Sequence, residues 1–362
     1  MAQSNPAKTS RRRWLWLAIS ATILGLIIYN LSHSKEWQQF RWDRLWSLLT
    51  HAQPGTLLAA VAATYTSYLL RAIRWKFFLE PIKQSSLWNL FVGQILGFSS
   101  IYLVGRPGEF VRPAYIARKE KVPIAPMAAI WLLERIYDTV FLVLMFAAAL
   151  LLAPLDPVIG RAGSILTRLN VLGLMMMVVI VIMVPALVVF RLRAEGVSAW
   201  VVGRCGFLGD GARHHLAHFL RSFAEGLKVI QSGKDLLASI VISVVLWTVN
   251  GGVFWLVFRS LGGELSQLSW LGAALTMFFA VLGLVVQLPG VGGGYQVATI
   301  YALTKLFSVG AEAATSAAIL TWIVISVPCL ALGMVLLVHE GLTFKKLEVI
   351  AEEERAAVEE EV

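Results

Sequence analysis

An all-α polytopic membrane protein is the fold class that this chain predicts, and three observations predict it. Hydrophobic residues make up 58% of the 362 positions and charged residues only 15%, with a mean hydropathy of +0.73. The apolar residues gather in eight segments, most of them long enough for a helix to cross a bilayer. The ten-residue alternation of an outer-membrane barrel is missing, and a soluble fold would need more polar surface than these few charges supply.

The formal charge of +9 does not point to nucleic acid. The lysines and arginines sit in loops between apolar segments, where they act as topology determinants beside anionic lipid heads. Cys205 and Cys329 lie far apart and lack a CxxC neighbour, so neither a disulfide nor a metal is read from them.

Taken in order, Arg11 to Arg13 precede a first apolar span at 14–31. No small-residue cleavage site follows it and further spans come after, so it reads as a retained helix with its basic end in the cytoplasm. The loop 32–54 carries Trp37, Trp42 and Trp46 at spacings that suit an interfacial helix. The second span, 55–79, ends at Arg71, Arg74, Lys76 and Lys83, which places that end inside.

The segment 87–104 has the composition of a third span, which would put Arg112, Arg118, Lys119 and Lys121 outside. The positive-inside rule puts them in the cytoplasm. A re-entrant hairpin satisfies both: the chain enters at 87, breaks at Gly105-Arg-Pro-Gly108, and returns as a short helix from Glu109 to Arg118. A long span, 126–152, then goes out, with Pro123 and Pro126 suited to its start. The segment 169–190 comes back in. From 212 to 231, Leu216, Phe219, Leu220, Phe223, Leu227 and Ile230 recur at helical spacing, an amphipathic cytoplasmic helix.

The next span, 236–258, goes out again. Trp270 to Leu288 is apolar, Pro289-Gly-Val-Gly-Gly-Gly294 breaks the helix, and 295–306 returns, a second hairpin entered from outside. The segment 310–338 crosses inward and leaves Lys345, Lys346 and an acidic tail in the cytoplasm.

About six full spans and two re-entrant helical hairpins result, in the order span, span, hairpin, long span, given twice with opposite starting sides. That is an inverted repeat, about 14–152 and about 169–339, flanked by a basic N-terminus at 1–13 and a charged tail at 340–362. A single shift along the chain pairs Val122 with Val309, Leu133 with Leu320, Ile136 with Ile323 and Val140 with Val327. An eight-span protein with parallel halves is the competing arrangement.

The first hairpin tip offers Arg106, Glu109 and Arg112, with Glu109 and Arg112 spaced to share a face of the return helix. The following span adds Glu134, Arg135 and Asp138, about 12 Å from its cytoplasmic start. Ionisable groups at that depth pair with one another or face a wet cavity. Two readings stay open: ion pairs such as Arg135 with Asp138 that lock hairpin to span, or an anion site in which Arg106 and Arg112 outnumber the nearby carboxylate. The second hairpin is uncharged and offers Gly290, Gly292, Gly293, Gly294, Tyr295 and Gln296, whose backbone either binds a phosphate or permits close packing. It has no Lys-Ser/Thr after the glycines, so it is no nucleotide loop. His214 and His218 are one helical turn apart without a third ligand near, and no metal or cofactor is expected.

Gly105-Arg-Pro-Gly-Glu-Phe-Val-Arg112, Leu132-Leu-Glu-Arg-Ile-Tyr-Asp138 and Pro289-Gly-Val-Gly-Gly-Gly-Tyr295 together resemble the lysylphosphatidylglycerol synthase transmembrane-region family, also called flippase-like. The resemblance covers about residues 14–339. It implies a lipid-handling domain of the bacterial cytoplasmic membrane, in some members a translocator of aminoacylated phosphatidylglycerol. It does not imply synthase activity, which in those members belongs to an appended soluble domain, whereas here fewer than 25 residues follow Val338. The expected function is therefore lipid translocation, with the headgroup a phospholipid, an aminoacyl-lipid or a polyprenyl-linked one. A lipid-synthesis enzyme and a non-catalytic scaffold are the alternatives. Expected partners are membrane lipids and no nucleic acid, with a second copy of the chain or a separate lipid-synthesising enzyme as further candidates.

Overall fold

A computed structural model describes residues 39–122, 124–152, 233–284, 287–288 and 292–341, with a few isolated positions elsewhere. Within them the chain is helical: α1 Trp42–Thr50, α2 Pro54–Leu79, α3 Leu87–Val104, α4 Val111–Glu120, α5 Ile124–Leu152, α6 Gly233–Leu261, α7 Trp270–Gly283, α8 Gly294–Leu306 and α9 Ala311–His339. A two-residue ladder, β1 Gln287–Leu288 against β2 Gly292–Gly293, is the exception. Among the described residues four helices are long and apolar enough to cross a membrane, at Pro54–Leu79, Ile130–Leu152, Leu237–Leu261 and Ala311–His339. They coincide with four of the expected spans. The segments 14–31, 169–190 and 212–231, and the tail, lie outside the described residues.

α1 carries Trp42 and Trp46 on its exposed side, 73% and 69% accessible, as an interfacial helix requires. Trp37 lies outside the described residues.

Contacts divide the chain into two compact units: 1–61, 152–166 and 251–327 in one, and 62–151, 167–250 and 328–362 in the other. In the latter, α3 and α4 form an antiparallel helical hairpin. Glu120 near its base accepts from the Ser86 N–H at 3.3 Å and from Asn89 Nδ2 at 2.7 Å. Further up, Gly93 faces Ile116 and Gly97 faces Arg112, so both strands of the hairpin start and finish at the same end. The reversal needs Gly105, whose φ of +82 is reached at little cost only without a Cβ. The chain then passes through a 3₁₀ turn, Arg106–Phe110, before α4 starts at Val111. Glu109 therefore sits in the turn rather than on the return helix, and it and Arg112, three residues on, still line one cleft.

α3 also docks on the C-terminal part of α9. Ser99 Oγ donates to the Cys329 carbonyl at 2.9 Å, and a Cβ on Gly333 would stand 2.7 Å from that of Ser99. α9 carries Pro328 in its interior, and Tyr65 Oη donates to the Pro328 carbonyl at 2.9 Å.

In the other unit α7 and α8 make a second antiparallel hairpin. Gly283 lies so close to α8 that its Cβ would meet that of Ala298 at 2.8 Å. At the far end Gly272 faces the Phe307 ring, and α7 is capped by Ser269, whose Oγ accepts from the Gly272 N–H at 3.2 Å. The tip is the β1–β2 ladder, with Gly293 at φ +82 before α8 begins.

One regularity joins the halves. The shift that carries Val122 onto Val309 also carries α5, Ile124–Leu152, onto α9, Ala311–His339. It carries Lys121 onto Ser308 as well, and among the described residues these are the two non-glycine positions with positive φ, both +54. A non-glycine αL residue costs about 1 kcal/mol; the two turns are closed differently, Val122 N–H donating to the Ala117 carbonyl and Val309 N–H to the Leu303 carbonyl, both at 3.0 Å.

Candidate functional site

The charged residues of the first hairpin and its neighbours collect in one buried cluster inside a single unit. α2 supplies Arg71, Arg74 and Trp75; α3 supplies Gln94, Gly97 and Phe98; α4 supplies Arg112; α5 supplies Glu134, Arg135 and Asp138. Helical spacing makes this possible. Arg71 and Arg74 are three apart and Glu134 and Asp138 four apart, so each pair shows one face to the other helix.

Glu134 is fully buried and is the hub. Its Oε1 accepts from Arg74 Nη2 at 3.1 Å and from Arg71 Nη1 and Arg112 Nη1, both at 3.3 Å. Its Oε2 accepts from Trp75 Nε1 at 3.0 Å and from Arg112 Nη2. Asp138 is bound on both oxygens, by Arg71 Nη1 and Arg74 Nη2, each at 2.8 Å. Arg74 passes the network on to Ser243 Oγ of α6 at 3.1 Å, and Arg112 donates to Gln94 Oε1 at 2.6 Å. Buried charges are tolerable only with such pairing, because the loss of hydration is otherwise several kcal/mol per ion.

Aromatic faces hold the guanidinium planes. The Arg112 Cζ lies 5.0 Å from the Trp75 ring centroid, and the Arg71 Cζ 5.3 Å from that of Phe98. Gly97 makes room for the Arg112 stem: a Cβ there would stand 2.6 Å from the Arg112 Cβ.

Three guanidiniums thus converge on two carboxylates. Arg135, a third exposed, adds a fourth at 3.9 Å from Glu134 Oε2. Several donors keep no partner: Arg74 Nε, Arg112 Nε, Arg135 Nε and Gln94 Nε2 are buried and unpaired. Beside the cluster runs a narrow cleft walled by Gly97, Phe98, Ile101, Glu109, Arg112 and Arg135, pinched so that no water fits between its walls.

Of the residues expected from sequence, Glu109, Arg112, Glu134, Arg135 and Asp138 are brought together here. The expected Arg135–Asp138 pair is not what forms, because Asp138 is taken by Arg71 and Arg74 and Arg135 approaches Glu134. For Arg106 the backbone lies in the tip turn. Gly292, Gly293, Gly294, Tyr295 and Gln296 lie in the other unit, at β2 and the start of α8, with the Tyr295 ring 6.1 Å from that of Phe254. Gly290 falls outside the described residues.

Arg71 and Arg74 are the functional residues that sequence reasoning missed. As flanking cations they mark the cytoplasmic end of a span, yet they are 8% and 0% exposed. The signal was available: Arg71 stands eight residues before the end of α2, about 12 Å into the helix, against about 15 Å for Glu134 in α5.

The family model described as the lysylphosphatidylglycerol synthase TM region matches residues 13–333. No curated protein matches the chain.

Proposed function

Since the chain belongs to the lysylphosphatidylglycerol synthase transmembrane-region family and is a multi-pass membrane protein, we propose that it is a lipid translocase that moves a polar or anionic headgroup between leaflets, with no synthase activity of its own. The observation that carries this reading is the buried cluster, because it ties the return helix of a helical hairpin to two spans by exchangeable charge–charge contacts. Arg112 is the only cluster cation that the hairpin's return helix contributes. A headgroup phosphate reaching Arg112 offers oxygens that compete with those of Glu134, and a guanidinium binds either in the same bidentate fashion. Exchange of carboxylate for phosphate frees the hairpin from α2 and α5 while leaving no cation bare. Arg106 at the tip is the second cation for the phosphate.

The same carboxylates argue against base catalysis. A general base must accept a proton, and Glu134 and Asp138 are held as anions by arginines on both oxygens. The recurrence of a positive φ at Lys121 and Ser308 and of two equal 29-residue helices supports an inverted repeat with two re-entrant hairpins. In that topology both termini are cytoplasmic, and the membrane is the cytoplasmic one.

Reconstituted vesicles carrying a fluorescent-headgroup phospholipid test the proposal. The wild-type chain should speed the exposure of inner-leaflet label to a membrane-impermeant quencher, and Arg112→Gln and Glu134→Gln should each slow it at least about tenfold. Equal rates with protein, variants and empty vesicles would sink the proposal.

A further inference from the structure

We infer that the cluster selects headgroups that carry a negatively charged phosphate and no amine, so that an aminoacylated lipid is a poor ligand for this chain; the inference rests on the translocase reading above. A cationic headgroup needs a carboxylate to receive it. Here each oxygen of Glu134 and of Asp138 already accepts from an arginine, and the remaining carboxylate, Glu109, stands on a wall that carries two guanidiniums, Arg112 and Arg135, against its one charge. The buried unpaired groups of the cluster are donors: Arg74 Nε, Arg112 Nε, Arg135 Nε and the Gln94 Nε2 amide. Arg74, Gln94 and Arg112 are at most 4% exposed, so bulk water does not satisfy them. Buried donors without acceptors favour a ligand rich in acceptor oxygens, and a phosphate is one.

Charge points the same way. Arg71, Arg74, Arg112 and Arg135 face Glu109, Glu134 and Asp138, which leaves the site positive, and Arg112 and Arg135 both stand on the cleft wall. An ammonium group brought into this cleft would meet those two guanidiniums. A phosphate meets them with attraction, first at their unpaired Nε groups and then at the Arg112 Nη groups as it exchanges for Glu134, while Trp75 packs against the Arg112 guanidinium with its ring centroid 5.0 Å from Cζ. Glu109 is the carboxylate on that wall, and it weakens an anion's binding.

The test is native mass spectrometry of the full-length protein in detergent, offered phosphatidylglycerol, lysyl-phosphatidylglycerol or inorganic phosphate at equal concentration. Phosphatidylglycerol should be retained at least about tenfold more tightly than its lysyl ester, since loss of one charge-assisted contact is of that size. Arg112→Gln and Arg135→Gln should each weaken phosphatidylglycerol by about tenfold. Arg135 makes only one long contact, so its variant keeps the fold if Arg112→Gln does not. Glu109→Gln should tighten phosphatidylglycerol. Lysyl-phosphatidylglycerol held as tightly as phosphatidylglycerol would overturn the inference, as would wild-type retention by the Arg135 variant or weaker retention by the Glu109 variant. Displacement of phosphatidylglycerol by inorganic phosphate at equal concentration would overturn the lipid as its source. In vesicles, selective binding without transbilayer movement removes the translocase reading and leaves the selectivity standing. Movement of the lysyl ester at the rate of phosphatidylglycerol does the reverse.

Discussion

Glu134→Gln keeps the shape of the cluster's hub and removes its charge. The amide can place an oxygen where Oε1 accepts from Arg71, Arg74 and Arg112, but its NH₂ then stands where Oε2 accepts from Trp75 and Arg112. Two donors lose their acceptor and face another donor. The Arg112 contact is charge-assisted and worth about 1.5–3 kcal/mol, and the Trp75 contact about 1 kcal/mol. Arg71 and Arg74 keep Asp138 as their carboxylate and Arg112 loses the one it pairs with, so the whole loss is about 3–5 kcal/mol, the usual cost of breaking a buried ion pair from one side. Tryptophan fluorescence of the detergent-solubilised protein should show a melting temperature lower by at least about 5 °C. Adding Arg112→Gln should restore part of it, because the second change removes the cation that the first one stranded. A coupling of at least about 1 kcal/mol between the two is expected. Glu134→Gln melting within about 1 °C of wild type, or two losses that simply add, would refute the hub assignment.

Gly97→Val should cost about 1–3 kcal/mol and slow lipid movement, since its first carbon would meet the Arg112 Cβ at 2.6 Å; a wild-type melt would show that the hairpin is looser than its packing indicates. Gly283→Val should cost a similar amount, about 1–3 kcal/mol, through Ala298 at 2.8 Å, but it should leave phosphatidylglycerol retention by the arginine cluster intact. Lys119→Cys should react in sealed cells only with membrane-permeant thiol reagents, and labelling by an impermeant reagent from outside would refute a hairpin entered from the cytoplasm. The same change breaks the Lys119–Glu340 pair at 2.7 Å, which is partly exposed and should cost below about 1 kcal/mol.

Composition and periodicity determined that the chain lies in a membrane, where four of its spans run and where two helices break. Length and hydropathy suffice for these because a bilayer constrains each segment by itself. Gly105 and Gly293 were legible for a related reason: a reversal at φ +82 needs glycine whatever surrounds it. The acidic half of the site was legible too, since carboxylates in an apolar span must answer to something. Which cation answers was not. Sequence proximity suggested Arg135 for Asp138, and the topology rule set Arg71 and Arg74 among solvated flanking charges. Arg74 and Glu134 are 60 residues apart, and their meeting depends on which face of α2 turns toward α5. That rotation is set by packing at places such as Gly97 against Arg112 and Gly333 against Ser99, where a missing side chain lets two helices approach. The sequence thus determined that charge is buried; only the tertiary structure decided that three arginines share two carboxylates and that Arg74 Nε and Arg112 Nε stay unpaired.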